Sequence, residues 1–322
     1  MLRRTLRLLG PPLAHTAPTR TAALTRTAAL LAVLAALAAA GCGATATGDS
    51  GPVRIVAAEN FWGSIAAQLG GDKASVQSII SNPAEDPHSY EPTAQDARTL
   101  ATAQLAIVNG VGYDPWAPKL IAANPASKRA VLTVGNLFGL KDGDNPHRWY
   151  DPANVEAVAN AITADLKKLD PKDGSYFDQQ RKAFETKDLA TYHQLIAQIK
   201  RRFAGTPVGA SESIFALQAP ALGLKLITPY SFLKAISEGT EVSAHDTLTT
   251  QRQLRNGEAK TWVYNSQNAT PAVQRLNAIA RQHHIPITTI TETLTPASAS
   301  FEQWQVAQLR RLEQALHAAT GS

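Results

Sequence analysis

The chain has 322 residues, of which 44% are hydrophobic and 18% are charged, so it can bury a core and global disorder is excluded. This length fits two domains of ordinary size or one large domain. The formal net charge of +5 arises in residues 1–42, which hold five of the 31 basic residues and no acidic residue, and this leaves 26 basic against 26 acidic residues. The neutral remainder argues against a nucleic-acid partner, because binding a polyanion needs a basic surface.

The first 42 residues have the pattern of a bacterial export signal. Basic residues lead into an apolar run at 28–40, which is too short to span a bilayer but fits the core of a signal peptide. Small residues then precede Cys42, the only cysteine, as in bacterial lipoproteins. We therefore predict a signal peptide over 1–42, a lipid anchor at Cys42 on the outer face of the cell membrane, and a flexible tether over 43–52. An ordinary cleaved signal with an incidental cysteine is the alternative.

Strands and helices alternate along the rest of the chain, which predicts an α/β fold with mainly parallel sheets flanked by helices. Residues 175–203 contain no Gly or Pro and carry an apolar stripe at helical spacing, so they predict one helix about 40 Å long. We expect two similar lobes, 53–172 and 205–322, joined by a linker helix over 173–204. The predicted strands are 53–58, 75–80, 105–109, 130–134, 208–210, 225–228, 261–264 and 285–290, and the predicted helices are 60–69, 93–102, 116–123, 153–169, 175–203, 248–256, 270–283 and 301–319.

Two loops carry a histidine in the same setting. His88 lies in the segment EDPHSYEP at 85–92, and His147 lies in the segment NPHRWYDP at 145–152. Each segment precedes a predicted helix, the first also follows a strand where open α/β sheets place their ligands, and the prolines stiffen both loops. Neutral imidazole is a good ligand for Zn²⁺, Mn²⁺ or Fe²⁺. One such histidine is more often structural, but two at equivalent turns of one lobe indicate a metal site.

These two segments resemble the ligand loops of the solute-binding lipoproteins of zinc and manganese ABC importers, the cluster A-I family. The resemblance extends from Val53 to the end of the chain: 86–92 is similar to the family's first ligand loop, and 145–152 is similar to its second. It implies two α/β lobes joined by a rigid helix, with one divalent metal ion bound in the cleft between them. It also implies a monomer that passes its metal to a membrane permease with its ATPase.

The resemblance further implies a ligand set of His88, His147, Glu212 and Glu292. Glu212 stands where the family has a Ser-His or Ser-Glu after a strand, although a Glu in the first turn of a helix is also favoured by the helix dipole. Glu292 stands where the family usually has an Asp, so it would bind bidentately, from farther away, or give way to a water. Two carboxylates and the lack of any His over 89–146 favour Mn²⁺, although Zn²⁺ binds most such sites more tightly.

Two other functions remain open on the sequence. A surface adhesin or a metal-storage lipoprotein is compatible with the same segments. A zinc metalloenzyme would need an open coordination position, and because the chain has no HExxH motif we predict that it is not an enzyme. Of the other polar and aromatic residues, we expect His245 in a loop, His193 in solvent, and Tyr113 and Trp149 in packing roles.

Overall fold

The computed structural model of the protein describes residues 51–321. The predicted signal peptide, the predicted lipidation site Cys42 and residues 43–50 of the predicted tether lie outside the described residues. Within 51–321, no helix combines the length and the apolar character that crossing a membrane requires.

The first lobe is built on a four-stranded parallel sheet in the order β2-β1-β3-β4. The central strands β1 (Val53–Glu59) and β3 (Leu105–Val108) are buried almost throughout, because helices cover both faces of a parallel sheet. The edge strand β2 (Ala74–Ile80) alternates in exposure, and β4 (Ala130–Thr133) forms the other edge. The helices of this lobe are α1 (Asn60–Gly70), α2 (Ala94–Ala101), α3 (Trp116–Ala123), α4 (Val134–Leu137) and α5 (Pro152–Leu169).

The segment that follows is helical from Gly174 to Phe203, but it is not one regular α-helix. A π-helical turn at Phe184–Asp188 separates α6 (Gly174–Ala183) from α7 (Ala190–Phe203). In this turn the Leu189 N–H donates to the Phe184 carbonyl oxygen at 2.9 Å, a five-residue step. The wider turn places both of these side chains in the core. The predicted 29-residue helix is therefore corrected to two α-helices with a π-turn between them.

The second lobe repeats the strand order of the first. Its four parallel strands are arranged as β6-β5-β7-β8, the order of the first sheet, which confirms the predicted α/β fold with two similar lobes. The elements are β5 (Pro207–Ala210), α8 (Phe215–Ala221), β6 (Lys225–Leu226), α9 (Tyr230–Ser237), α10 (Ala244–Arg255), β7 (Thr261–Asn265), α11 (Pro271–Gln282), β8 (Ile287–Ile290) and α12 (Phe301–Thr320).

The predicted loop at His245 is wrong, because this residue lies in the first turn of α10. The Ser243 hydroxyl caps this helix by accepting from the Asp246 N–H at 3.1 Å.

One apolar core runs through both lobes. In the first lobe Phe61 stacks on Trp149 with ring centroids 3.9 Å apart. The fully buried Tyr150 of the same lobe donates its hydroxyl proton towards the second lobe, where the Thr291 carbonyl oxygen lies at 2.7 Å and Gln308 Oε1 at 3.1 Å. Such apolar and hydrogen-bonded contacts fix the lobes so that the carboxyl ends of both sheets face one cleft, the usual ligand position in α/β proteins.

Candidate metal centre

His88 lies in the loop between β2 and α2, on the first-lobe side of the cleft. Asp86 shapes this turn: its Oδ1 accepts from the His88 backbone N–H at 2.9 Å, and its Oδ2 accepts from the Ser89 hydroxyl at 3.1 Å. The imidazole packs edge-on against the Tyr113 ring with centroids 4.8 Å apart. Its Nε2 atom is buried and has no hydrogen-bond partner among the described residues. A buried nitrogen of this kind is available to a ligand.

His147 precedes a short 3₁₀ turn, Arg148–Tyr150, and is fully buried. Its Nδ1 lies 2.8 Å from Asn145 Oδ1, and the Asn145 Nδ2 group donates to the Ser213 carbonyl oxygen at 2.7 Å. Since the amide oxygen can only accept, Nδ1 carries the proton and Nε2 keeps its lone pair. Burial, and next the charges of His88 and Arg148, hold the pKa of His147 well below its ordinary value. The ring is therefore neutral at physiological pH, the form that binds metals.

The two predicted carboxylate residues each follow a strand of the second lobe and share one amide donor. Glu292 Oε1 accepts from Asn265 Nδ2 at 2.9 Å, and its Oε2 accepts from the Tyr113 hydroxyl at 3.1 Å. Glu212 Oε2 accepts from the same Asn265 Nδ2 at 3.2 Å, whereas its Oε1 is buried without a partner among the described residues. Asn265 therefore links the two carboxyl groups.

Both carboxyl groups resist ionisation in the metal-free protein. Burial raises the pKa of Glu212 well above its ordinary value, the neighbouring charge of Glu292 adds to this rise, and hydrogen bonding to Asn265 opposes it. Burial also raises the pKa of Glu292, and the positive charge of His88 opposes that rise. Two buried carboxyl groups side by side are stabilised by a cation, which removes their mutual repulsion.

Three of the four predicted ligands meet. One donor atom each from His88, His147 and Glu292 lie within 4.8 Å of one another, the only such group of three or more His, Cys, Asp or Glu residues within 51–321. Atoms bound about 2.1 Å from one ion lie at most about 4.2 Å apart, so small side-chain movements would let these three share an ion. Glu212 lies outside this group and is linked to it by the amide of Asn265, which also bonds Glu292.

The donor group opens into a cleft between the lobes with a volume of about 540 Å³. The cleft is far larger than one ion, so it provides a route for a hydrated cation to the donor atoms. Its walls come from both lobes and are mostly polar. Besides His88, His147 and Glu292, the wall residues include Glu85, Asp86, Val111, Asp144, Tyr230, Lys234 and Gln267.

Sequence reasoning missed three residues of this centre. Tyr113 was expected in a packing role, but its buried hydroxyl also donates to Glu292 across the cleft. Asn265 ends β7, and a polar residue at the carboxyl end of a central strand was the signal that could have found it. Asn145 stands inside the second histidine segment, two residues before the ring it orients. His193 lies outside the donor group and faces Glu156 on α5, with its Nε2 3.6 Å from a carboxylate oxygen.

The fold and the cleft define a class: a two-lobed α/β binding protein with buried imidazole and carboxyl groups at the carboxyl ends of parallel strands. Comparison with known proteins then gives the family. Residues 55–315 match the sequence profile of ZnuA, described as "zinc-uptake complex component A periplasmic". The match covers most of the chain, so the protein belongs to this family, which confirms the resemblance drawn from its two histidine segments.

Several relatives and structures are similar to the chain. The manganese-binding lipoprotein MntA of Halalkalibacterium halodurans is 31% identical over 153 residues, which span 45% of this chain and 50% of that relative. The metal ABC transporter substrate-binding lipoprotein FimA of Streptococcus parasanguinis is 25% identical over 266 residues, 76% of this chain and 81% of that relative. A manganese-bound variant of a periplasmic metal-binding protein from Candidatus Liberibacter asiaticus has a TM-score of 0.70 at 18% identity, covering 82% of this chain and 99% of that chain. The crystal structure of ZnuA has a TM-score of 0.66 at 22% identity, with the same coverage. These structures share the fold of this chain.

Proposed function

We propose that this protein is an extracytoplasmic solute-binding lipoprotein that captures a divalent transition metal ion, Mn²⁺ or Zn²⁺, and delivers it to an ABC importer. The observation that carries the proposal is the convergence of donor atoms from His88, His147 and Glu292 within 4.8 Å at the base of a cleft between two lobes. The names of the relatives, a manganese-binding lipoprotein and a metal ABC transporter substrate-binding lipoprotein, support the same function.

The proposed ligands are His88, His147, Glu212 and Glu292. Two neutral imidazoles and two carboxylates would match the charge of a divalent ion, and the oxygen donors favour Mn²⁺. Glu212 would join the other three by turning its carboxylate from Asn265 towards the ion. Its unpartnered Oε1 is the atom that this movement would bring into use.

The remaining parts of the proposal concern the whole protein. Residues 1–42 would direct export, lipidation of Cys42 would anchor the mature protein to the outer face of the cell membrane, and 43–52 would tether it there. Lobes at 53–172 and 205–322, joined by the linker at 173–204, would close on the ion. The protein would act as a monomer without enzymatic turnover, and a permease with its ATPase would receive the metal.

The test is metal binding by the purified mature protein. We expect titration calorimetry to show one tightly bound Mn²⁺ or Zn²⁺ ion, and His88→Ala or His147→Ala to weaken binding by at least about 100-fold, since even residues that only support a ligand contribute 10–100-fold. His193→Ala is the matched control, because this histidine lies on α7 beside Glu156 and outside the donor group. Absence of tight binding, or variants that bind as well as this control, would disprove the proposal.

A further inference from the structure

The two ligand-bearing segments on opposite sides of the cleft meet at one amide side chain. Gln267 follows β7 in the second lobe and is half-buried. Its Nε2 donates to the carbonyl oxygen of Pro83 at 2.7 Å, in the first-lobe loop that carries His88. The same nitrogen donates to the Thr293 hydroxyl at 2.8 Å, next to Glu292. One side chain therefore holds the start of the His88 loop against the turn that presents Glu292.

The oxygen of the Gln267 amide also makes two hydrogen bonds. Gln267 Oε1 accepts from the Glu292 backbone N–H at 2.6 Å and from the Thr293 backbone N–H at 3.1 Å. The donors and acceptors around Gln267 fix the orientation of its amide, because a flipped group would set N–H against N–H and oxygen against oxygen. The Gln267 backbone N–H also donates to Asn265 Oδ1 at 2.9 Å, which connects it to the residue that links the two carboxyl groups.

A second amide from the opposite lobe joins the same two segments. Asn60 begins α1, and its Oδ1 accepts from the Leu294 backbone N–H at 3.2 Å. Its Nδ2 donates to the Ser81 carbonyl oxygen at 3.5 Å. Residues 81–83 and 292–294 are thus joined by one amide from each lobe. Of the two, Gln267 makes the shorter bond to the His88 loop.

We propose that Gln267 is a positioning residue that ties the His88 loop to the Glu292 turn and thereby sets the rate at which bound metal is released. This inference rests on the proposed function. For the ion to leave, His88 and Glu292 must separate, and opening of the His88 loop breaks the bond from Gln267 to Pro83. Capture of the ion by the open cleft does not need that bond. Loss of the bond should therefore act on dissociation and leave association unchanged.

The size of the effect follows from the bond that is lost. One neutral hydrogen bond between half-buried groups changes an equilibrium by about three- to tenfold. Gln267→Met removes the bond to Pro83 together with the three bonds to Glu292 and Thr293, so we expect it to release metal at least about three to ten times faster than the wild type. Association should stay within about twofold, because the donor atoms of the site are unchanged.

Gln267→Glu separates this explanation from electrostatics. The carboxylate is isosteric and still accepts from the Glu292 and Thr293 N–H groups, but it cannot donate to the Pro83 carbonyl oxygen. An added negative charge beside the cleft should slow the release of a cation. The loss of the tie predicts faster release, so the two explanations differ in sign. The isosteric variant also keeps the proposal testable if Gln267→Met does not fold.

The matched control is Gln68→Met. Gln68 on α1 is also half-buried and makes a bond from one lobe to the other, its Nε2 donating to Glu302 Oε2 on α12 at 3.0 Å. Neither Gln68 nor Glu302 belongs to the donor group or lines the cleft. We expect this variant to release metal at the wild-type rate.

The experiment mixes mature protein loaded with Mn²⁺ or Zn²⁺ with excess chelator in a stopped-flow instrument, and follows release by tryptophan fluorescence. The Trp149 ring, 5.3 Å from the His147 ring, is the expected reporter. Faster release by both Gln267 variants, with Gln68→Met unchanged, supports the proposal. Wild-type release rates in both variants, or equal acceleration by Gln68→Met, would overturn it and leave the metal-binding function standing. A wild-type protein that binds neither metal would overturn both.

Discussion

Metal binding should expel protons from this site, because its two buried carboxyl groups have a raised pKa. In the metal-free protein, Glu212 and Glu292 are buried, share the amide of Asn265, and both have a raised pKa. Two carboxyl groups in this arrangement hold protons more tightly than free carboxyl groups do, because burial and the charge of the neighbouring group both oppose ionisation. A divalent ion needs both groups ionised. His147 contributes no proton, because burial already lowers its pKa and keeps the ring neutral.

The pH dependence has a definite sign and size. A buried carboxyl whose pKa in the fold is raised above 4.5 stabilises the metal-free protein at low pH, and this contribution is lost as pH rises through the raised pKa. Metal affinity rises over the same window by about tenfold per pH unit for each proton displaced, or about 1.4 kcal/mol. At saturating metal, the metal-induced stabilisation grows equally, which is about 2–3 °C in Tm per pH unit for a protein of this size.

Calorimetric titration in two buffers of different ionisation enthalpy counts the protons directly. We expect protons to be released on metal binding, and fewer of them as pH rises through the raised pKa. Glu212→Gln removes one of the two titrating groups, so its count should fall below that of the wild type even though its affinity is also lower. Absence of proton release at every pH from 4.5 upwards would refute the reasoning. An unchanged count in Glu212→Gln would mean that Glu212 is not a source of the protons.

Two further substitutions test contacts between the lobes. Tyr150→Phe removes the donor to the buried Thr291 carbonyl oxygen, whereas Gln308 Oε1 still accepts from the Thr291 backbone N–H at 2.9 Å. We therefore expect a loss of about 1–3 kcal/mol and a Tm lower by about 2–5 °C in calorimetry. An equal loss in the control Tyr176→Phe, whose hydroxyl bonds at the surface, would contradict this. Glu292→Asp retracts the carboxylate by one methylene, so it cannot keep both Asn265 and Tyr113, and we expect metal affinity to fall about tenfold or more in titrations. Equal affinity would mean that these two bonds do not position the carboxylate.

The fold and the two histidine loops could be predicted because their signals are local. Alternation of apolar runs with helical patterns indicates parallel strands and crossover helices, and both sheets have the corresponding order. The His88 and His147 segments carry their chemistry within eight residues each, including the Asp86 and Asn145 side chains that shape them. The π-turn at Phe184–Asp188 was not predictable in this way, because one extra residue in a long helix changes which face points inward without changing the composition.

Contacts between the lobes could not be predicted from the sequence for a different reason. Tyr113 and Glu292 are separated by 179 positions, and no pattern within either segment indicates that they meet. The position of the carboxylates was likewise not predictable: on the sequence the extra methylene of Glu292 allowed it to give way to a water, yet Glu292 lies in the donor group while Glu212 lies outside it. The length of a side chain matters only relative to the backbone that carries it, and that position is set by the packing of one lobe on the other.

The extra methylene of Glu292 is explained by what its two oxygens reach. Oε1 is held by Asn265 of its own lobe, and Oε2 is held by Tyr113 of the opposite lobe, at 2.9 and 3.1 Å. An Asp at the same backbone position could keep one of these partners but not both. Because Tyr113 also packs against the rings of His88 and His147, the Glu292 carboxylate is oriented by the same residue that supports both imidazoles. Closure of the lobes and assembly of the donor group are therefore one event, since neither lobe holds all three groups.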